Sequence, residues 1–515
     1  MIILTSESEK RIGYLFILFL IVIGLYYIYL ASVTPMLGED ENTYFSLGKD
    51  FANSLNKQYD DFTFGKPKII MPLFVSLFYS FFFLIFTPSM IISKAIIGFF
   101  TLLTLLIVYL IGRKFSIYLG FFSALLLLSI TNFSHSSMLA YVETPIAFFS
   151  VLFTYLLLNM GNDRFMLKSV VVGVLLGISY HTKHSGLLLS IILFLYCITL
   201  YLHNKDKKYL KLFLVSVVMF SVMVVPMIIK NMIIYQYPHF LGMNIFFELP
   251  EYKGPTANVQ WVKDATKLIS PPSISLNTYI STLNYPVFIF SIFGISWLLS
   301  NFKVKSKEIQ MLFLLTLLTT IFLFLFNVFN ITGYMITEAR YLSIIFPQIS
   351  ILAGFFLWKL KERNRVFLMI LIPVILFCVF SGVTVAQGTS VSQRYPDDYV
   401  QALKWLKDNT PEDSIIFTAY GGSVGYFAER RSFWTINEFP DIMHSDNGTY
   451  IYENLKKYDL SYVLVWGGIV AQDYIVPQSN LIGAFTYNFI NVVSVDEENF
   501  EIVYQNQNNI IFKLK

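Results

Sequence analysis

The chain of 515 residues is 56% hydrophobic and only 14% charged, with a positive mean hydropathy, whereas soluble globular domains carry about 25% charged residues. A net charge of +4 gives no reason to invoke nucleic acid. The two cysteines, Cys197 and Cys378, lie inside apolar runs, which excludes a disulfide framework and a thiolate metal site.

A helix needs roughly 20 apolar residues to cross a bilayer. Runs of that kind start near Ile12, Ile91, Ile117, Thr144, Ser169, Gly186, Leu210, Leu283, Met311, Tyr341 and Val366. The first is long enough to span and is followed by no small-residue cleavage site, so it reads as a span rather than a cleaved signal. A further apolar run, Ile69–Phe86, holds Pro72 and stops at Pro88. Parity decides it. Basic clusters occur at Lys10/Arg11, Arg113/Lys114, Arg164/Lys168, Lys205 to Lys211, Lys303 to Lys307 and Lys359 to Arg365. All fall on the cytoplasmic side if Ile69–Phe86 lies in the outer interface, and all but the first flip outside if it spans. The expected architecture is therefore mainly α: a polytopic transmembrane helix bundle of about 11 spans, with the N-terminus cytoplasmic and the C-terminus extracytoplasmic. Residues 1–387 form the membrane module. Ile-, Asn- and Lys-rich usage points to a prokaryotic plasma membrane over the endoplasmic reticulum.

Residues 388–515 read as a small soluble extracytoplasmic α/β domain. Pro396–Asp408 and Tyr450–Tyr458 have helical spacing. Ser414–Thr418, Tyr462–Trp466, Ile490–Val495, Phe500–Tyr504 and Ile510–Leu514 alternate like strands. Gly421-Gly422 reads as a tight turn. The stretch to Gly425 follows a strand but lacks the dinucleotide fingerprint.

Four charged groups sit at span ends on the expected outer face. Glu39-Asp40-Glu41 follows the first span; adjacent carboxylates raise one another's pKa unless cations or hydrogen bonds hold them, so the segment is either a solvated acidic loop or a general base, with or without a metal. Glu143, between two apolar runs, is either an intramembrane functional carboxylate or, with Pro145, a helix-start residue. His181-Thr-Lys183-His184 suits a phosphate or an interfacial anchor. Arg340-Tyr341 suits a phosphate through the planar guanidinium or, again, an anchor.

In order and spacing these motifs resemble the GT-C glycosyltransferases, and are similar to the protein O-mannosyltransferases and lipid A aminoarabinose transferases. Asp40-Glu41-Asn-Thr-Tyr44 resembles the Asp-Glu-x-x-Tyr motif of the first external loop, and Lys66-Pro67 the entry to a juxtamembrane helix. The run from Leu110 to Pro145 resembles the block ending in a second acidic motif, with Glu143 where relatives usually have Asp. Gly177 to Lys183 resembles the Gly-x5-Lys turn, and Arg340-Tyr341 the late Arg-Tyr motif. The likeness covers about Ile12 to Lys359. It implies Asp40 as catalytic base, Glu41 and Glu143 as supporting or metal-coordinating carboxylates, and Lys183, Arg340, His181 and Tyr341 around a donor phosphate. The implied partners are membrane lipids, a polyprenyl-phosphate (dolichyl-type) sugar donor, mannose among the candidates, and a protein, lipid or glycan acceptor; the cofactor is open, a divalent metal ion being one candidate. No Trp-Trp-Asp-Tyr-Gly motif occurs, which disfavours an oligosaccharyltransferase catalytic subunit. A polytopic lipid or oligosaccharide transporter or flippase is the alternative. It would place ionisable groups near the bilayer midplane, often with repeat symmetry, whereas here they gather at one face. A noncatalytic receptor accounts for the tail but not for the acidic motif.

Overall fold

The computed structural model describes residues 7–33, 39–55, 73–161, 163–235, 284–300, 310, 312–318, 339–363, 365–392, 395–418, 421–434, 442, 445–466 and 489–515. The membrane module runs through α1 (Glu7–Val33), α2 (Glu39–Leu55), α3 (Phe74–Phe83), α4 (Met90–Arg113), α5 (Ile117–Ser129), α6 (Thr131–Ser136), α7 (Glu143–Leu158), α8 (Phe165–Thr182), α9 (Leu187–Asn204), α10 (Lys208–Tyr235), α11 (Tyr285–Ser300), α12 (Phe346–Arg363) and α13 (Arg365–Ser392). Helices dominate because hydrocarbon offers no partner to backbone N–H and C=O groups. Six of the described helices are long and apolar enough to cross a membrane. The pair α5–α6, bent by 73°, makes a seventh candidate.

Helix α3 has ten residues, about 15 Å at the helical rise, so this helix within the Ile69–Phe86 run is too short to cross a bilayer alone. The expected span from Met311 and the Lys66-Pro67 motif fall largely or wholly outside the described residues. Peripheral and central helices differ in the faces they show. Helix α10 exposes Leu214, Val218 and Val222 in a stripe one turn apart, and α1 exposes Tyr14, Leu18, Val22 and Leu25. Helices α5 and α12 are buried almost throughout. Where helices cross, small residues admit the neighbouring backbone: a Cβ on Gly112 of α4 would stand 2.5 Å from the Gly120 Cα of α5.

The tail folds as α14 (Asp397–Asn409), β1 (Ile415–Thr418), a short helical turn over Gly421–Ala428, β2 (Arg431–Trp434), α15 (Gly448–Lys457), β3 (Tyr462–Trp466), β4 (Phe500–Gln505) and β5 (Asn509–Leu514). The sheet order is β2-β1-β3-β5-β4. Strand β1 lies parallel to β2 and β3, and β5 runs antiparallel to β3 and β4. Strand alternation divides two cores. Phe417, Val463, Val465 and Phe512 pack with Ile451 and Leu455 of α15, while Ile416, Leu464, Trp466 and Ile511 pack with Tyr399, Leu403 and Leu406 of α14. The expected helices and most expected strands appear in place. Three features differ. Residues 489–495 are helical, not a strand: Phe489 and Val493, one turn apart, are buried, while Val495 is 81% exposed, a helical period that a short apolar run disguises. Gly421-Gly422 opens a helical segment rather than a tight turn. Strand β2 was not legible as a strand.

Candidate active site

Helix α2 begins in the acidic motif. Glu41 lies in the first turn of α2, where the helix dipole favours negative charge. The helix is polar in sequence yet packed on several sides: Glu41, Asn42, Thr43, Tyr44, Phe45, Ser46, Leu47 and Asp50 are all buried. Against α3 the approach is close, a Cβ on Gly48 standing 2.9 Å from the Tyr79 Cβ.

Glu41 is fully buried. Its Oε1 accepts the backbone N–H of Ala140 at 2.6 Å, and the buried ammonium of Lys94, in the first turn and a half of α4, lies 3.7 Å from the same oxygen. The hydroxyl of Tyr79 donates to the Ala140 carbonyl at 3.2 Å. The Ala140 peptide is thus held from both sides, by α2 and by α3, just before α7 begins at Glu143. Glu143 opens that helix with Pro145 in its first turn, and its buried carboxylate accepts from Lys183 Nζ at 2.6 Å. It therefore serves both as a helix-start residue and as half of an ion pair.

Lys183 reaches this position because α8 ends sharply. Thr182 is the last helical residue, Lys183 is extended at φ −156° and ψ 135°, and Gly186 N–H turns back to the Lys183 carbonyl at 2.7 Å. A Cβ on Gly186 would stand 2.4 Å from the carbonyl carbon of Ser179, so only glycine fits the turn. His181 points elsewhere: its Nε2 donates to the Met223 carbonyl of α10 at 3.0 Å. Arg340 and Tyr341 lie in a 3-10 turn, Ala339–Ile345, which is tied to α7 by the Ser150 hydroxyl donating to the Ile344 carbonyl at 2.6 Å; their side chains, like that of Asp40, lie outside the described residues.

No family model matches the chain, and no curated protein sequence matches it. Solved structures do. An oligosaccharyltransferase from Archaeoglobus fulgidus, in complex with Zn and sulfate, superposes with a TM-score of 0.63 at 16% identity over 96% of this chain and 73% of that one. ArnT from Cupriavidus metallidurans, bound to undecaprenyl phosphate, gives a TM-score of 0.64 at 13% identity over 96% of this chain and 97% of that one. AglB from Archaeoglobus fulgidus, with an inhibitory peptide and a dolichol-phosphate, gives 0.62 at 13% identity over 99% and 74%. These neighbours are GT-C glycosyltransferases.

The chain has the GT-C fold.

Within that fold it is an integral, multi-pass membrane protein. Two of the neighbours are oligosaccharyltransferases, the class that the absent Trp-Trp-Asp-Tyr-Gly motif disfavours; likeness at such identities is one of fold and does not restore the motif. On the GT-C framework, Glu41 and Glu143 each stand beside a lysine. Among the described residues no group of three or more His, Cys, Asp or Glu gathers as a metal site.

Several residues of this region were missed in the sequence. Lys94 sits inside the apolar run that starts near Ile91, and a lone lysine inside a span is a functional signal in itself. Tyr79 carried no signal among the aromatics of α3. Tyr426, in the helical turn of the C-terminal domain, rests edge-on to Phe45 with ring centroids 5.0 Å apart. Burial holds its hydroxyl above the usual tyrosine pKa, and the nearby Glu41 carboxylate adds to the effect. Nothing local in the sequence joins it to the acidic motif.

Proposed function

We propose that this protein is a polyprenyl-phosphate-dependent glycosyltransferase, moving a monosaccharide from a lipid-linked donor to a protein, lipid or glycan acceptor on the extracytoplasmic face. The observation that carries the reading is the linked pair of buried carboxylates, Glu41 and Glu143, held beside Lys94 and Lys183 at the starts and ends of four helices in a fold whose neighbours include complexes with dolichol-phosphate and undecaprenyl phosphate. In this reading Asp40, in the first turn of α2, takes the proton from the acceptor nucleophile. Glu41 braces that turn. The acceptor displaces the polyprenyl phosphate in line at the anomeric carbon, with inversion. The departing phosphate is already anionic, so it needs cations rather than a proton. Lys183, with its ammonium oriented by Glu143, and Arg340, with its fork, supply them, and Tyr341 borders the same phosphate, whereas His181, bonded to the Met223 carbonyl, is turned away from it. A charged leaving group neutralised by fixed cations requires no reorganisation at the moment of transfer.

The test is incubation of the purified protein with a panel of polyprenyl-phosphate sugars and candidate acceptors, following release of free polyprenyl phosphate. Release that depends on an acceptor is the expected result. No release from any donor, with the protein folded, would remove the transferase reading.

A further inference from the structure

The C-terminal domain rests directly on the acidic helix. Asn42 follows Glu41 in sequence and is fully buried; its Nδ2 donates to the hydroxyl oxygen of Tyr395 at 3.0 Å. Tyr395 is itself buried. Its ring lies 5.4 Å from that of Tyr399 and perpendicular to Phe427 at 6.0 Å. Tyr399 extends the contact, its hydroxyl sharing a hydrogen bond with Ser423 Oγ at 2.8 Å. Phe45 and Ser46 lie three and four residues beyond Asn42, on the same face of α2. Phe45 meets Tyr426, and Ser46 faces Gly425, where a Cβ would stand 3.1 Å from the serine hydroxyl. The face of α2 that carries Asn42, Phe45 and Ser46 is therefore covered by Tyr395, Gly425 and Tyr426, while its contact at Gly48 is made by α3.

We infer that the C-terminal domain is the positioning element for the acidic helix, and that Tyr395 is its principal positioning residue. The Tyr395 hydroxyl fixes the Asn42 amide, and Asn42 shares a helical turn with Asp40 and Glu41. Fixing one residue of a turn fixes the rotation of the whole turn, and with it the backbone that carries Asp40 and Glu41. Small misplacements of a reacting group cost rate steeply. Tyr395 acts through Asn42 rather than on substrate. The inference rests on the proposed role of Asp40 and Glu41 in glycosyl transfer.

Two variants of the full-length protein test it. Tyr395→Phe removes one oxygen and keeps the ring. It is expected to lower kcat by about tenfold or more with the KM for the lipid-linked donor unchanged, and to add nothing further in an Asn42→Ala background. Gly425→Leu drives a wedge against Ser46. Carbodiimide labelling of carboxylates, read by mass spectrometry, should show Glu41 protected in the wild type and labelled severalfold faster in Gly425→Leu. A wild-type kcat for Tyr395→Phe overturns the positioning role. Continued protection of Glu41 in Gly425→Leu overturns the claim that the domain holds the helix. If the wild type transfers sugar from no donor, the transferase reading fails and takes the catalytic consequence with it, while labelling still decides whether the domain holds α2.

Discussion

The amide of Ala140 donates to the carboxylate of Glu41 across 99 residues of sequence. Because Ala140 stands three residues before Glu143, that hydrogen bond joins the two acidic motifs into one framework: α2 holds the loop, the loop starts α7, and α7 presents Glu143 to Lys183.

The buried pair of Glu41 and Lys94 gives the first prediction. Glu41→Gln keeps the shape and leaves a buried ammonium beside a neutral amide. Removing one partner of a buried ion pair costs about 3–5 kcal/mol, so the detergent-solubilised variant should unfold at a clearly lower temperature. Lys94→Met should do the same. The double variant Glu41→Gln/Lys94→Met should recover part of the loss; strictly additive losses would show that the two side chains are not coupled.

Asp40→Asn isolates the base. The amide preserves the size of the side chain and cannot accept the proton. Turnover should fall about 10²-fold or more, with donor binding and thermal stability close to wild type. Near-normal turnover would move the role to Glu41 or Glu143.

Donor affinity reads the cations. Lys183→Ala and Arg340→Ala should each weaken binding of a polyprenyl-phosphate sugar by about 1.5–3 kcal/mol, the usual size of a hydrogen bond to a charged group. If both grip one phosphate, the double variant should lose less than the sum. Because Glu143 shares a 2.6 Å contact with Lys183, Glu143→Gln should also weaken the donor. Unchanged affinity in all three, measured by direct titration, would take these side chains out of the phosphate site.

Orientation is checked by cysteine accessibility. Single cysteines at Lys57, Asn258 and Asn447 should react with an impermeant reagent added outside intact cells, and those at Lys207 and Lys305 only after permeabilisation. Labelling at Lys207 from outside would place the charged groups on the opposite face from the one proposed.

Most helix positions were legible because the bilayer removes alternatives: a long, predominantly apolar run has to be helical, and Ile12, Ile91, Thr144, Ser169 and Leu210 all lie at or near the starts of helices. The strands of the tail were legible where one residue in two faced a core, as at Ile415–Thr418 and Tyr462–Trp466. Residues 489–495 were not, since a run of seven apolar and small polar residues fits either period. Glu41, Glu143 and Lys183 were visible as charges out of place in apolar surroundings. Their partners were not, because Lys94 joins Glu41, and Tyr395 joins Asn42, only through tertiary packing that no local pattern encodes.

The hydrogen bond between Asn42 and Tyr395 spans 353 residues, and this sets an order of assembly. A chain made from its N-terminus releases α2 long before the segment that covers it. At about 5–20 residues per second, the acidic helix waits on the order of tens of seconds for Tyr395 and Gly425 to arrive. The site is therefore among the last parts of the molecule to be completed, and a chain cut short before residue 395 lacks the cover on α2 even when most of its membrane helices are in place.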